Sequence, residues 1–488
     1  MSNFNKDILC LISEELKDNN NLLFSCLLVN RLWFETFVSI LWKDPWKFLE
    51  NKRRIYEFSQ VLLLFRTILS HLPKESRELL ASQDIKHFIT LQQRPLVNYI
   101  SYCNNLDLEY TFAFIYLLID SDQQYDYQRY ALEQEIFKLF MSECSSIKSL
   151  TLKTFNYDVL YKHQLHNFFG ANDCLPELVH LTCITKIDPS FFYGLSLICK
   201  RLEKISLISF LNENVGLNRF ISVQQKLKIF EFEIDKFHEI FNQDKAPLIG
   251  LGIALLVHSD NLLQFSAHLD REINFPPPEF YRKFKNMRVV SLLNRNHRTY
   301  FEGLFSQLDC PKLEILQLGN SSQSTLSKIV SKTQGSLNLI RIRKYFYDKI
   351  HSKELFQIIY QHCPKLSSVN LVVDQKDLKE LQQILINCRC LTELILVSTR
   401  THGSLNCGIL ELIVTLAPLS LNTINLMLNW EISVEGLIKF LENWEGRKGN
   451  QLTFKTYHVQ SMTNEHIDVL QRYKEKGIIK MYRNTCSN

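Results

Sequence analysis

Histidine, glycine and cysteine side chains are the first candidates for chemistry in this chain of 488 residues. His163 and His166 are three residues apart, but no third metal ligand stands near them in the sequence, which favours an isolated pair of surface histidines. Gly250 and Gly252 lack the third glycine of a dinucleotide-binding turn, and we expect them to end a strand or a turn. The sequence contains neither a phosphate-binding loop nor a motif that activates a nucleophile.

Five of the thirteen cysteines recur in phase, each three residues before an apolar residue: Cys144, Cys199, Cys310, Cys363 and Cys388. Cysteines distributed in this way cannot meet at one metal ion, whereas a thiol can pack as a small apolar side chain at the end of each helix. Cys388-Arg389-Cys390 lacks the two-residue spacer and the second pair of a zinc site. The sequence therefore predicts no metal, no cofactor and no catalytic residue, and a protein that is not an enzyme.

Composition narrows the classes of partner. A formal net charge of +5 is small for this length and the basic clusters are short, so nucleic acid is not implied. The longest apolar runs fall far short of the roughly 20 residues that cross a bilayer, and the first 17 residues do not resemble a signal peptide. Thirteen cysteines without an export signal indicate reduced thiols, which predicts a cytoplasmic or nuclear protein with no membrane segment.

The elements that position these residues follow a repeated apolar pattern. Apolar residues stand at the first, fourth and sixth positions of a short segment that occurs eleven times, with first members 24 to 35 residues apart. The first members are Ile147, Leu178, Leu202, Leu227, Leu262, Met287, Leu313, Leu337, Leu366, Leu391 and Leu421. Segments of helical period lie between them, so each repeat is predicted to be one strand and one helix. Such a unit cannot bury its own apolar surface, and neighbouring units must stack into a curved parallel-stranded solenoid.

One residue in each pattern points away from the buried side of its strand, because side chains alternate along a strand. These residues are Thr151, Thr182, Ser206, Glu231, Ser266, Ser291, Gln317, Arg341, Asn370, Ile395 and Asn425. Ten of the eleven are polar, as expected when one sheet face is buried under helices and the other is open to water or a partner.

The first 46 residues predict three short helices with more apolar side chains than their faces can bury. The first helix places Ile8, Leu9, Ile12 and Leu16 on one stripe, and the third places Trp33, Phe37, Ile40 and Leu41 together. Leu11, Leu28, Val29 and Phe34 lie off these stripes. This surplus predicts a partner; packing on the helices that follow is the alternative.

Two resemblances arise from these residues. The unit from Cys363 to Leu371, Cys-x-x-Leu-x-x-Val-x-Leu, resembles the cysteine-containing class of leucine-rich repeats. The run from Asp7 through Leu28-Val29-Asn30-Arg31-Leu32-Trp33 to Leu41-Trp42 resembles an F-box, especially those of the divergent families of some filamentous fungi. Phe4-Asn5 stands where that family usually has Leu-Pro.

The resemblances imply an α/β fold: a leucine-rich-repeat solenoid with parallel strands on its concave face and helices outside, preceded by a small all-α F-box-like module and a helical connector. The expected domains are 1–46 for the module, 47–145 for the connector and 146–488 for the solenoid. The module is expected to bind the Skp-type adaptor of a ubiquitin ligase, and through it a cullin. Its expected contact residues are Phe4, Ile8, Leu9, Ile12, Leu28, Val29 and Trp33.

The solenoid is expected to bind an unknown target protein through the open strand face. Gln317, Arg341, Arg343 and Asn370 are the predicted contacts, and the two arginines favour an acidic patch on the target. These expectations make the chain the substrate-recognition subunit of an SCF-type ubiquitin ligase. The alternative is a repeat scaffold without a role in ubiquitination, in which the N-terminal helices only cap the solenoid.

Overall fold

The chain folds into two compact units, Met1–Lys228 and Ile229–Asn488. The structure is a computed structural model. It describes residues 6–16, 19–50, 58–85, 94–119, 126–153, 163–208, 213–233, 248–269, 278–294, 307–319, 321, 323–343, 353–398, 408–428, 430–447, 451–457, 459 and 462–485. The boundary between the units falls within the repeats rather than at either of the predicted domain boundaries, at residues 46 and 145.

The first unit begins with helices and continues as alternating strands and helices. Its elements are α1 (Lys6–Leu16), α2 (Asn20–Leu27), α3 (Arg31–Leu41), α4 (Lys47–Glu50), α5 (Phe58–Ser70), α6 (Lys74–Ser82), β1 (Asn105–Asp107), α7 (Leu108–Leu118), α8 (Asp126–Glu143), β2 (Ser149–Leu152), α9 (Ala171–Cys174), β3 (His180–Ile184), α10 (Pro189–Ile198), β4 (Lys204–Ile208) and α11 (Val215–Ser222). Short 3₁₀ helices span Ile100–Tyr102 and Leu165–Asn167. The three N-terminal helices predicted from the sequence are confirmed.

The second unit also alternates strands with helices. Its elements are β5 (Ile229–Glu233), α12 (Ile249–Leu256), β6 (Gln264–Leu269), β7 (Val289–Asn294), β8 (Ile315–Gly319), α13 (Gln323–Lys332), β9 (Leu339–Arg343), α14 (Lys353–His362), β10 (Ser368–Val373), α15 (Leu378–Asn387), β11 (Glu393–Ser398), α16 (Gly408–Leu416), β12 (Thr423–Met427), α17 (Val434–Glu445), β13 (Leu452–Tyr457), α18 (Asn464–Glu475) and β14 (Ile479–Thr485). Further 3₁₀ helices span Pro278–Lys283 and Gln375–Asp377.

Strands in each unit pair in parallel with the strand that comes next in the sequence. The first unit contains the order β1-β2-β3-β4, and the second contains β5 to β14 in sequence order. Leu150 lies beside Leu181 and Leu181 lies beside Ile205 in the first unit, and Leu316 lies beside Ile340 in the second. All five side chains are fully buried. The predicted α/β architecture with parallel strands is therefore confirmed.

Local sequence explains why the helices lie where they do. Ser433 caps α17 by accepting the Gly436 N–H at 3.0 Å, and Leu437, Phe440 and Leu441 form a buried stripe at helical spacing. Asn214 caps α11 through the Leu217 N–H at 3.0 Å. The same side chain donates to two backbone carbonyls at Thr185 and Ile187, and thus fastens α11 to the preceding repeat.

The phased cysteines pack inside the protein, as predicted. All five are at most 5% exposed. Four of the thiols also donate to a backbone carbonyl of the preceding repeat, a contact that the sequence did not suggest; Cys199, for example, lies 3.3 Å from the Leu175 carbonyl. Burial raises the pKa of Cys199, Cys310, Cys363 and Cys388 to about 12, so these thiols stay protonated.

Three strands and two other features differ from the sequence predictions. β1 lies inside the expected helical connector, and β13 and β14 follow the last predicted repeat. Gly250 and Gly252 lie within α12 rather than at the end of a strand or turn, because the apolar run around them forms a helix that buries one side, with Leu251, Ala254 and Leu255 inside. His163 is buried, not at the surface: its ring bonds to the Glu133 carboxylate.

Candidate interaction surfaces

The first three helices form a small core of their own. Leu9, Leu23, Cys26, Phe37 and Leu41 are buried together, and partly buried residues pack around them. Those surrounding residues are Ile12, Leu16, Leu27, Trp33 and Trp42.

The core changes the assignment of several predicted adaptor contacts. Leu9 is fully buried, so the prediction that it contacts a partner is wrong; its side chain serves the module's own packing. Ile12 and Trp33 are partly buried, and the Trp33 ring stacks on Phe37 at a centroid distance of 5.2 Å. Ile8 is exposed, as an anchor must be. Phe4 lies outside the described residues.

Leu28 and Val29 occupy a tight junction between α2 and α3. The Leu28 N–H donates to the Ser25 carbonyl at 3.2 Å, and the Val29 N–H donates to Cys26 at 3.4 Å. Asn30 then caps α3 by accepting the Trp33 N–H at 3.0 Å. Leu28 is nevertheless 89% exposed and Val29 is 56% exposed. A fixed backbone therefore holds two aliphatic side chains in water.

Other exposed apolar residues surround this junction in sequence and were not named as contacts. They are Leu11, Leu22, Phe24 and Leu32. Leu22 is exposed although the next residue, Leu23, is buried. We call Ile8, Leu11, Leu22, Phe24, Leu28, Val29 and Leu32 the N-terminal apolar set. Soluble proteins seldom expose so many large apolar side chains in one short segment unless a partner covers them.

Trp46 fastens the three-helix module to the helices that follow and to the first strand. Its indole N–H donates to the Asn105 carbonyl at 2.7 Å, and its ring contacts Phe65, Tyr110 and Phe140. These residues belong to β1, α5, α7 and α8. The Asn104 N–H also donates to the Lys43 carbonyl at 3.0 Å, so residues 43–46 cover the edge of β1.

The predicted polar row on the strand face is confirmed by the register of the second unit. Ser291 lies beside Gln317, and Gln317 lies beside Arg341. Asn370 follows the pairing of Val369 with Ile340, which puts it level with Arg341. Beyond β10 the row continues through Ile395, Asn425 and Lys455. Gln317, Arg341 and Asn370 are thus brought together as predicted; the side chain of Arg343 lies outside the described part of the chain.

Glu393 is the centre of a polar cluster on this face. Its carboxylate accepts hydrogen bonds from Arg341 at 3.1 Å, Ser368 at 2.6 Å and Asn425 at 3.2 Å. Arg341 is paired with a carboxylate, so its charge is offset within the protein. The prediction of an acidic patch on the target relied on Arg341 and Arg343, and the pairing of Arg341 weakens it. We call Arg341, Ser368, Asn370, Glu393 and Asn425 the Glu393 cluster.

The strand face is less open at β10 than predicted. Ser368, Asn370 and Val372 point to this face, yet all three are buried. The reason lies in the neighbouring strands: Glu393 reaches across to Ser368, and Asn370 donates to the Ile342 carbonyl at 3.0 Å. Cross-strand hydrogen bonds therefore hold Ser368 and Asn370 against the neighbouring strands.

Asp107 heads the corresponding row in the first unit, level with Thr151. Its carboxylate caps α7 by accepting the Glu109 N–H at 2.8 Å. Burial, reinforced by the neighbouring Glu109 charge, raises the pKa of Asp107 from 3.8 to about 7. The folded state therefore binds this proton more tightly than the unfolded chain, and the stability that the group contributes is lost as the pH rises from about 4 through 7.

We expect Asp107→Asn to relieve this loss. The amide oxygen can still cap α7, but no charge is buried at high pH. The variant should match the parent chain near pH 5 and melt at a higher temperature than the parent at pH 8. Thermal unfolding at the two pH values measures the difference, with Asp188→Asn, another helix cap whose carboxylate is almost fully exposed and whose pKa is lowered, as the control. An equal change at both pH values would contradict the assignment.

Other candidate chemistry finds little support in the geometry. His163 also contacts Gln134 at 2.6 Å, and His166 packs against Gly194, where a Cβ would come within 2.0 Å of the ring. No group of three or more histidine, cysteine, aspartate or glutamate side chains in the described residues could hold a metal ion. Within the same residues, no helix has the length and apolar character needed to cross a membrane.

Comparison with known proteins leaves the N-terminal apolar set and the Glu393 cluster as the main guides to function. No model of a known protein family matches the chain. A search of curated proteins also finds no match.

Proposed function

We propose that this chain is the substrate-recognition subunit of an SCF-type ubiquitin ligase. In this proposal the N-terminal module is an F-box that binds the Skp-type adaptor, and through it a cullin. The repeats of the two units are leucine-rich repeats, and their polar strand faces bind the protein to be ubiquitinated. The observation that carries the proposal is the pair Leu28 and Val29, held exposed at a fixed junction beside a complete core.

The exposure of this pair argues for a partner rather than for internal packing. Burying an exposed leucine or valine gains about 1.5–3 kcal/mol, which the isolated chain forgoes at Leu28 and Val29. The junction is already ordered by backbone hydrogen bonds, so a partner that covers the pair has little conformational entropy to overcome. Apolar helix ends of this kind suit an adaptor with an apolar groove.

The alternative function is a repeat scaffold in which the N-terminal helices only cap the sheet. The contacts of residues 43–46 with β1 favour a capping role. Capping and adaptor binding use different residues, however, because Trp46 faces the strands and Leu28 faces water. A capping role alone does not explain why the side chains of the N-terminal apolar set are exposed.

The double variant Leu28→Asp, Val29→Asp tests the proposal. Two buried charges in the contact should weaken binding of the purified full chain to a recombinant Skp-type adaptor by at least about 100-fold, the effect of losing roughly 2.7 kcal/mol. The matched control is Phe169→Asp, Leu197→Asp, which places two charges at apolar residues that are also exposed. Isothermal titration or a pull-down measures binding, and circular dichroism checks folding.

The result separates the two functions. If the parent chain binds the adaptor and the folded Leu28/Val29 variant does not, the ubiquitin-ligase function is supported. If the parent chain does not bind, or if the variant binds as the parent does, the proposal fails and the scaffold function is the better account.

A further inference from the structure

β14 has an outer edge that no other strand covers within the described residues. The strand pairs with β13 on one side only, and a register shift beside Ile479 leaves Met481–Thr485 in regular register. The edge of β1 in the first unit differs, because residues 43–46 cover it through backbone and indole hydrogen bonds. An uncovered edge strand presents N–H and C=O groups with which an added strand can pair.

Positive charge is concentrated around this edge. Residues 471–483 include five basic residues and one acidic residue, although the formal net charge of the whole chain is only +5. The basic side chains are all exposed, and in the described part of the chain none of them forms an ion pair with a carboxylate: Arg472, Lys474, Lys476, Lys480 and Arg483. The one acidic residue, Glu475, accepts a hydrogen bond from Gln471 at 2.8 Å. Because soluble surfaces usually mix charges of both signs, this excess favours an anionic partner.

Two cations are neighbours on the strand face beside the edge. Lys455 of β13 is level with Arg483 of β14, and the two continue the polar row beyond Asn425. Lys455 is partly exposed and, like Arg483, has no ion pair among the residues that the structure describes. Like charges at neighbouring positions on adjacent strands repel each other and lower stability. A carboxylate bound beside Lys455 and Arg483 would relieve that repulsion.

The charges at the edge also decide which kind of strand can pair there. Lysine on an edge strand commonly prevents two copies of a protein from joining their sheets. If two β14 edges met, Lys480 and Arg483 of both copies would lie close together and repel each other. The same charges attract a strand of opposite sign, so they select an acidic partner and reject a second copy of this chain.

We propose that the outer edge of β14 binds an extended acidic segment of another protein, which adds to the sheet as a further strand. Its backbone pairs with β14, and acidic side chains at every second position lie on the face of Lys455 and Arg483, because side chains alternate along a strand. On the opposite face Lys474 Nζ lies over the Tyr482 ring, at 5.7 Å from its centroid, and this apolar ring and lysine stem suit uncharged side chains. The site lies outside the N-terminal module, so the inference goes beyond the proposed function and does not depend on it.

The probe is a fluorescent ten-residue peptide in which glutamate and valine alternate, so that an extended backbone carries every charge on one face. The full chain should bind it, as measured by fluorescence anisotropy. Lys455→Gln, Arg483→Gln should weaken binding at least about tenfold, because hydrogen bonds to charged groups are lost at both positions. The control Lys365→Gln, Lys379→Gln removes two exposed lysines elsewhere in the second unit and should bind as the parent does. Melting temperatures of both variants check that the fold is intact.

Two methylated peptides separate strand addition from simple charge attraction. One is N-methylated at its glutamates and the other at its valines, and only the peptide whose methyl groups face β14 should lose affinity, since alternate N–H groups of a strand point to opposite edges. Loss in both peptides or in neither would overturn the proposal, as would a parent chain that does not bind the probe. Tighter binding of a ten-nucleotide oligothymidylate would also overturn it and indicate a site for nucleic acid. Because the Lys455/Arg483 variant keeps the N-terminal module, it should bind the adaptor as the parent does, so failure here is distinguishable from failure of the proposed function.

Discussion

Replacing Trp46 by alanine should lower the stability of the first unit more than any exposed substitution. Trp46 is 1% exposed and contacts three aromatic rings, and loss of such a side chain typically costs about 3–5 kcal/mol. For a unit of this size that corresponds to a fall of roughly 10 °C in melting temperature. Trp46→Phe keeps most of the ring contacts but loses the hydrogen bond to the Asn105 carbonyl. Its melting temperature should therefore lie between those of the parent chain and Trp46→Ala.

The effect of Trp46→Ala should be strongest in the elements that Trp46 contacts and weakest inside the three-helix module. The core around Leu9 and Phe37 does not include Trp46, so the three helices should keep their packing. Hydrogen exchange should accelerate in β1, α5 and α7, and much less in α3. Leu96→Ala, at a fully exposed leucine, is the matched control and should change nothing. A loss of less than about 1 kcal/mol for Trp46→Ala would mean that the site repacks around the cavity.

Arg447 should have the second largest effect. Its guanidinium donates to four backbone carbonyls, those of Ile413, Val414, Ala417 and Pro418, at 2.6 to 3.2 Å. These are carbonyls at the end of α16, where a helix leaves acceptors unpaired. The guanidinium also lies over the Trp444 ring, at 4.6 Å from its centroid. One side chain thus closes the end of a helix in the neighbouring repeat.

We expect Arg447→Met to cost about 2–4 kcal/mol, since hydrogen bonds from a charged donor contribute about 1.5–3 kcal/mol and the carbonyls would be left partly unpaired. Arg447→Lys should recover only part of the stability that Arg447→Met loses, because an ammonium group lacks the planar guanidinium geometry that reaches four carbonyl oxygens. Hydrogen exchange over residues 408–428 reports the local opening, and urea unfolding reports the total. Arg472→Met, at an exposed arginine on α18, is the control. Equal exchange rates in both variants would contradict a capping role.

The strands were predictable wherever the repeated apolar pattern is complete. Alternation along a strand also fixed which residues form the polar row, so Gln317, Arg341 and Asn370 could be placed together. β1 was not predicted, because the first apolar position of its pattern is occupied by a cysteine, Cys103. Cys103, Leu106 and Leu108 nevertheless fit the pattern, and all three are buried. β13 and β14 carry Gly449 and Lys476 at that position, so nothing in the pattern marks their start.

Contacts that depend on three-dimensional packing were not predictable. Helical spacing put Ile8 and Leu9 on one stripe, but only the position of the other two helices decides that Leu9 is inside and Ile8 outside. The sequence did not mark Glu393 as the centre of a polar cluster, because its three hydrogen-bond donors come from three different strands, β9, β10 and β12. The same holds for Arg447, whose acceptors precede it by 29 to 34 residues.

The sequential strand order of the second unit has a mechanical consequence. Among the described residues from β5 to β14, consecutive strands pair with each other at separations of 24 to 35 residues. A force applied to the C-terminus therefore meets one strand at a time, and each rupture lengthens the chain by about 80–125 Å at 3.3–3.6 Å per residue. The second unit should therefore unfold under force in separate steps, one strand at a time, rather than in one cooperative event. When the force is removed, short-range pairing allows the strands to return in order without searching the whole chain.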